Sequence, residues 1–458
     1  MGLVLFLIFF LFLLTTVSAI KDNTLSSCTS ILQDEKHPSN GSGIHLTLHH
    51  IHSPCSPVTS PHLPLIDLLN LDETRSQSLN NILTKPNITT PSISKSTNLI
   101  PESIGIPLNP GQSIGVGNYV IKLGLGTPPK YFSVIMDTGS SFNWVQCDPC
   151  VVYCHPQVGP RFNPSTSSTY KKLSCNTPDC SALEAATLNP SACTRSNICI
   201  YQSSYGDGSF SVGYLSSETL TVGPSQTLPG FIYGCGQDNK GLFGRSAGIF
   251  GLARSRLSLV SQLSAKYGYV FSYCLPTPSS IGTLSIGQST YNPSIYKFTR
   301  MYSDQRAPSL YFLRISSITV SGKALPLSVA VYTRTPTIID SGTVITRLPS
   351  AVYVPLRTAF VKAMAGYKRA PPFSILDTCF EGGVRGKHVP EVRLIFEGGS
   401  ELRLAAQNTV IEVDGGVTCL AFAESTSLAI IGNLQQQTYK VVYDISSSKI
   451  GFAAGGCG

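Results

Sequence analysis

The sequence predicts a mainly β protein built as two lobes of similar design, and three observations lead there. From Gly117 onward, short β-branched and aromatic runs such as YVIKLGLG, YFSVIMD, SETLTVG, GTLSIG, YFLRISSITVSG, TPTIIDSG and TYKVVYDI are separated by Gly, Pro, Ser and Asn, the pattern of strands joined by tight turns. Helical periodicity is clearest in only two stretches, LSLVSQLSAKYG (257–268) and SAVYVPLRTAFVKAMAGY (350–367). The chain also repeats itself. One apolar run ends in Asp137-Thr138-Gly139-Ser140 and another in Asp340-Ser341-Gly342-Thr343; each is followed about a hundred residues later by two bulky apolar residues and a glycine, Ile249-Phe250-Gly251 and Ile430-Ile431-Gly432.

At 458 residues, 42% hydrophobic and 13% charged, the chain has material for two or three domains and a sizeable core, which excludes a disordered or fibrous protein. Its first nineteen residues, MGLVLFLIFFLFLLTTVSA, form an apolar core ending in small residues, with Val17-Ser18-Ala19 as an A-x-A-like cleavage site. We read residues 1–19 as a secretory signal peptide, because the apolar run is shorter than the roughly 20 residues a spanning helix needs. No later segment is apolar enough to span, and FAAGGCG at the C-terminus carries no hydrophobic tail for a lipid anchor. A soluble protein, without membrane attachment after signal removal, is expected.

Residues 20–111 differ in composition from the body of the chain. They are rich in Ser, Thr, Pro, Leu and Asn and hold six of the eight histidines. Five Lys/Arg stand there against seven Asp/Glu, a net of −2, so the remainder of a chain with net charge +8 carries +10. An acidic leader on a basic body suits a detachable prosegment. Both N-x-S/T sequons, at Asn40 and Asn87, fall in it and are candidate glycosylation sites. Its segment GIHLTLHHIH (43–52) alternates as a strand, with Ile44, Leu46 and Leu48 on one face able to pair with the body. Four histidines there, His45, His49, His50 and His52, gain charge as pH falls through about 6.5. Acidification is therefore expected to loosen this strand. The remaining boundaries come from the repeat: an N-terminal lobe over 112–300 and a C-terminal lobe over 301–458.

Fourteen cysteines behind a signal peptide read as disulfides. Cys28 and Cys55 lie near the start, and twelve more run from Cys147 to Cys457, enough for six bonds. The cluster Cys147, Cys150 and Cys154 has a spacing seen in zinc sites, but only His155 accompanies it, so disulfides are favoured and no metal or cofactor is expected.

The chemistry resides in the pair of aspartates. An apolar strand sets its terminal Asp in a low-dielectric place, Gly permits the turn and close approach of neighbouring groups, and Ser or Thr supplies hydroxyls to hold the carboxylate. If two such loops meet, the carboxylates crowd so closely that they share one proton over a wide acidic range. One then acts as general base on a water held between them while the other acts as general acid toward a carbonyl. Such a pair can hydrolyse an amide without a covalent intermediate.

Together, Asp137-Thr-Gly-Ser, Asp340-Ser-Gly-Thr, the Tyr205-Gly206-Asp207-Gly208-Ser209 segment and the two apolar-apolar-Gly elements resemble the pepsin-like aspartic proteases, over residues 112–458. The cysteine cluster Cys147 to Cys199, the stretch ESTSLAIIGNLQQQTYKVVYD and the DSGT form of the second motif look more narrowly like plant nepenthesin-type enzymes. HSPCSP and LDETRSQSL in the leader are similar to the branch described as chloroplast-nucleoid DNA-binding proteases. The resemblance implies a bilobal double β-barrel with the active-site cleft between the lobes. It makes Asp137 and Asp340 the catalytic dyad, Thr138 and Ser341 the inner hydroxyls linking the two loops, and Ser140 and Thr343 the outer hydroxyls on the carboxylates, with Gly139 and Gly342 between them. Tyr205, with Gly206 and Asp207, belongs on a β-hairpin flap that closes over bound peptide, near Trp144. The glycines of YGDGS suit a hairpin tip. The resemblance also implies Cys379 with Cys419, Cys274 with Cys457, and a nested set drawn from Cys147, Cys150, Cys154, Cys175, Cys180, Cys193, Cys199 and Cys235. One departure is Val344, which stands after the second motif where many relatives have a small hydroxyl residue.

A monomeric aspartic-type endopeptidase, secreted to the apoplast and made as a zymogen whose prosegment acts as an intramolecular inhibitor of polypeptide cleavage, is the function these residues favour; the vacuole and chloroplast are alternative destinations. The alternative function is a catalytically weak relative that binds protein, as the xylanase-inhibitor branch of this architecture does, or DNA. Against DNA, the basic residues are scattered singly, with only Lys171-Lys172 and Lys368-Arg369 adjacent.

Overall fold

The computed structural model describes residues 43–58, 64–84, 119–205, 208–223, 226–384, 388–413, 415–455 and 457. The proposed signal peptide, Cys28, both sequons at Asn40 and Asn87, the 111/112 boundary, and Gly206 and Asp207 of the flap lie outside them.

The repeat read from the sequence becomes the same strand crossing built twice. In the first half, Lys130–Asp137 runs parallel to Gly248–Gly251, with Ile249 opposite Ile135 and Gly251 opposite Asp137. Asn143–Gln146 then pairs antiparallel with Gly248–Gly251 on its other side, Trp144 opposite Ile249. In the second half, Thr337–Ile339 runs parallel to Ala429–Ile431, and Thr346–Pro349 pairs antiparallel with it, Arg347 opposite Ile430. Each bulky apolar pair is therefore the middle strand between the two strands flanking an aspartate loop. Strands so enclosed are buried on both faces and read as continuous apolar runs.

The halves are not separable at residue 300. Val270–Cys274 pairs with Tyr439–Asp444, which pairs with Lys449–Ala454, which pairs in turn with Lys297–Arg300. All belong to a 16-stranded sheet that also carries the first half's crossing. Phe271 stacks on Tyr443 at 4.5 Å between ring centroids, and the hydroxyls of Tyr273 and Tyr443 meet at 2.7 Å. A disulfide from Cys274 to Cys457 ties the chain end to this sheet.

The stretch 257–268 yields a helix over Leu259–Tyr267, capped by Ser258, whose hydroxyl accepts the Ser261 N–H; 350–367 yields Ser350–Ala363. Cysteine pairing follows the implied Cys379–Cys419 and Cys274–Cys457, and Cys147–Cys235 encloses a local Cys150–Cys154 bond. Within that enclosure the arrangement departs from a nested set: Cys175–Cys193 and Cys180–Cys199 cross each other. Cys175 reaches the strand Ala192–Cys193, while Cys180, on the short helix Pro178–Ser181, reaches its antiparallel partner Cys199–Ser204.

The leader is built into the body. Ile44–His50 is an internal strand of the large sheet, paired along its length with Ile281–Ile286 and at His49 and His50 with Tyr119–Leu125. Ile44, Leu46 and Leu48 enter the main core as the alternation predicts. His49 and His50 are buried too, which changes the expectation for their titration. Burial, reinforced by the neighbouring His52, pushes His50 down to about 3 while the strand is in place; burial also lowers His49. Both rings resist charging until the strand leaves.

A second leader element, a 20-residue helix over Leu65–Thr84, is not among those the sequence predicts. Its buried residues are Leu69, Asp72, Arg75, Ser76, Leu79, Asn80 and Leu83, a single face at helical spacing. Leu69 packs with Ile345 and Leu376; Leu79 and Leu83 pack with Phe312, Ile338, Leu428 and Ile430. Burying three leucines is worth about 5–9 kcal/mol gross, so the apolar contacts and the buried polar groups both hold the helix, and the polar groups also set its register. Asn80 Oδ1 accepts the backbone N–H of Leu428 at 2.8 Å and of Ser427 at 3.1 Å.

Candidate active site

Each aspartate ends or immediately succeeds a buried strand and is fixed by its own loop. Asp137 closes Lys130–Asp137; its Oδ1 accepts the Gly139 N–H at 2.9 Å and its Oδ2 the Ser140 hydroxyl at 2.5 Å. Asp340 comes directly after Thr337–Ile339; its Oδ1 accepts the Gly342 N–H at 3.2 Å and its Oδ2 the Thr343 hydroxyl at 2.6 Å. The two loops lock by exchange: Thr138 N–H donates to Ser341 Oγ at 3.1 Å, Ser341 N–H donates to Thr138 Oγ1 at 2.8 Å, and the hydroxyls meet at 3.2 Å. Two residues far apart in sequence thus hold the carboxylates face to face.

Both carboxyl groups are buried. Burial pushes Asp340 above the usual carboxylate range; Arg75 opposes that rise and the Asp137 charge adds to it. The reason for the two glycines is space. Neither has a positive φ, but a Cβ on Gly139 would stand 2.5 Å from Arg75 Nη2 and 2.9 Å from Asp340 Oδ1, and one on Gly342 would collide with the same guanidinium.

That guanidinium is the site's unexpected member. Arg75, from the leader helix, donates Nε to Asp340 Oδ2 and Nη2 to Asp340 Oδ1, both at 2.8 Å, and Nη2 to Asp137 Oδ1 at 2.9 Å. Its side chain is fully buried. Burial alone would pull Arg75 down, but the two carboxylates outweigh it and hold the group above its ordinary value. Beside it, Asp72 bonds the N–H groups of Val344 and Ile345 and pairs with Arg347, which also pairs with Glu73. Val344, noted for its side chain, thus contributes its backbone here.

Trp144 and Tyr205, both named from sequence, are brought together: indole Nε1 donates to the Tyr205 hydroxyl at 2.5 Å, with Phe243 edge-on to both rings. A cavity opens between the Gly139–Phe142 turn and the Ser203–Tyr205 strand end, beside Asp137. Cys147, Cys150 and Cys154 are all in disulfides, and among the described residues no cluster of His, Cys, Asp or Glu is placed to hold a metal. No helix among them is long and apolar enough to cross a membrane.

Arg75, Asp72, Glu73 and Arg347 had no role assigned from sequence. The usable signal was Asp72-x-x-Arg75, an acid and a base one helical turn apart in a leader expected to inhibit.

The family model described as xylanase inhibitor N-terminal matches residues 119–288, and that described as xylanase inhibitor C-terminal matches 310–454. An aspartyl protease family protein of Arabidopsis thaliana is 40% identical over 442 residues, covering 94% of this chain and 91% of its own. The aspartic proteinase nepenthesin-2 of Nepenthes gracilis is 36% identical over 357 residues, covering 75% of this chain and 79% of its own. Among solved structures, basic 7S globulin from soybean aligns with a TM-score of 0.59 at 22% identity, over 75% of this chain and 93% of that one, a likeness of fold alone. By these matches and its paired aspartate loops, the chain belongs to the pepsin-like family of aspartic-protease-related proteins that the xylanase-inhibitor models also describe.

Proposed function

We propose that this protein is a secreted aspartic endopeptidase made as a zymogen, in which Arg75 occupies the place of the catalytic water and the leader must leave before peptide can enter. The observation that carries the reading is the complete dyad: both carboxylates, both Gly N–H donors, both outer hydroxyls and the Thr138–Ser341 exchange are present together. A protein that only binds has no need for two buried carboxylates close enough to share one guanidinium, since burying like charges is costly.

With Arg75 gone, the pair retains one proton in acid, because two adjacent buried carboxylates cannot both ionise. A water between them loses a proton to the ionised carboxylate as its oxygen attacks the peptide carbonyl carbon. The protonated carboxyl delivers its proton to the carbonyl oxygen, giving a neutral gem-diol. Collapse of the diol breaks the C–N bond, the amine nitrogen takes one proton, and the dyad returns to its singly protonated state. Tyr205 would close over the peptide from the flap. The disulfides fit an oxidising compartment, which supports secretion.

A second reading, a relative that binds a protein, takes its support from the xylanase-inhibitor description of both matching family models. Incubating the full chain in acid with a denatured protein, with and without pepstatin and beside Asp137→Asn, separates the two. Pepstatin-sensitive cleavage absent from the variant is expected. Cleavage that persists in Asp137→Asn refutes the mechanism, and intact substrate throughout favours the binding reading.

A further inference from the structure

Arg347 stands on Thr346–Pro349, seven residues after Asp340, with its side chain fully buried beneath the leader helix. Its Nη2 reaches Asp72 Oδ2 at 2.8 Å and its Nη1 reaches the Glu73 carboxylate. Among the described residues these are its ion pairs, and both belong to the leader. Its Nε meets no acceptor among them. The same Asp72 carboxylate accepts the N–H of Val344 at 2.5 Å and of Ile345 at 3.3 Å. A guanidinium and two backbone donors therefore converge on one carboxylate, the arrangement that recognises carboxylates strongly. Glu73 is one-third exposed, so this cradle reaches solvent on that side.

When the leader leaves, Arg347 loses both acids at once and stays on the body, in the strand that follows the Asp340 loop. The guanidinium and the two backbone donors then stand preset around an empty carboxylate position, and a peptide that covers them is favoured when it brings a carboxylate, because a guanidinium re-buried without a counter-charge is costly. Its position relative to the chemistry is set by the helix: Asp72 precedes Arg75 by three residues, a rise of about 4.5 Å, comparable to one or two residues of extended chain.

We infer that Arg347, with the backbone N–H groups of Val344 and Ile345, is a specificity subsite for an acidic side chain within roughly three residues of the scissile bond. The inference rests on the endopeptidase reading. The leader's Asp72 and Glu73 then occupy the subsite as a substrate's acid would, while Arg75 blocks the dyad.

The test uses prosegment-free protein and matched fluorogenic peptides that differ only by Glu or Gln, placed in turn at each of the three positions on either side of the cleaved bond. At one position, Glu is expected to raise kcat/KM at least about tenfold over Gln at pH near 5.5. That preference should fade toward pH 3 as the peptide's Glu, with an ordinary pKa near 4.3, takes up its proton. Arg347→Gln should bring the Glu/Gln ratio to about one, while Arg347→Lys keeps part of it. A wild-type ratio near one at every position, a ratio flat with pH, or one that survives in Arg347→Gln overturns the inference and leaves the cradle an anchor for the leader alone. The wild-type pH series decides the matter even if the variants fold poorly. If wild type cleaves neither peptide, the endopeptidase reading itself falls.

Discussion

Replacing Arg75 by Gln removes the cation that, among the described residues, bridges the Asp137 and Asp340 carboxylates. Arg75 makes three hydrogen bonds of 2.8–2.9 Å to two buried acids, and stripping the partner from a buried ion pair typically costs about 3–5 kcal/mol. Set against the roughly 5–9 kcal/mol gross from Leu69, Leu79 and Leu83, the loss does not eject the helix outright, but it raises the fraction of molecules with the helix undocked by about 10²–10⁴-fold. The cost shrinks in acid, because the freed carboxylates can then share a proton. Hydrogen exchange of the amides in 65–84 at neutral pH reads this directly and needs no enzymatic activity. Protection should fall by about two to four orders of magnitude in Arg75→Gln, with a smaller fall near pH 4. Unchanged protection at neutral pH would refute the assignment of Arg75 as the group that holds the leader over the dyad.

The geometry sets three further outcomes. His50, neutral in the inserted strand with its titration depressed to about 3 by burial and His52, favours insertion fully above its free value of about 6.5 and loses that advantage as pH falls toward 3; by pH 5 the loss is about 2 kcal/mol. His50→Gln should therefore flatten the pH dependence of leader release measured by size exclusion between about pH 6.5 and 4. Ser341→Ala leaves the Thr138 N–H without the acceptor it has at 3.1 Å, and the denaturation midpoint should drop by the equivalent of about 1–3 kcal/mol. Trp144→Phe and Tyr205→Phe each break the 2.5 Å bond between the two side chains, and a double-mutant cycle on kcat/KM should return a coupling of about 1 kcal/mol.

The sequence disclosed those parts whose physics is local. Strand runs, the aspartate loops and the apolar-apolar-Gly strands carry their own periodicity, and the two halves announced each other by repetition. The strand Ile44–His50 was legible for the same reason, since Ile44, Leu46 and Leu48 alternate with polar positions. The leader helix was not. Four of its seven buried residues are Asp72, Arg75, Ser76 and Asn80, so the face that packs on the body is mostly polar and gives no apolar 3.6-residue signal. Its partners, Asp137, Asp340 and Arg347, lie 62 to 275 residues away in sequence. The helix is written as a complement to the site, and only the site's geometry makes its pattern meaningful. The sharing of strands between the halves was hidden likewise, because Tyr439–Asp444 pairs with Val270–Cys274 across most of the second half.

If the two aspartates act as one unit, neither has activity to contribute alone. Single-turnover rates of prosegment-free wild type, Asp137→Asn, Asp340→Asn and the double variant on one peptide put that to the proof. Each single change should abolish nearly all hydrolysis, and the double change should cost no more than either alone, as for residues that act together. Substantial hydrolysis in either single variant, or losses that multiply in the double, would contradict the shared dyad.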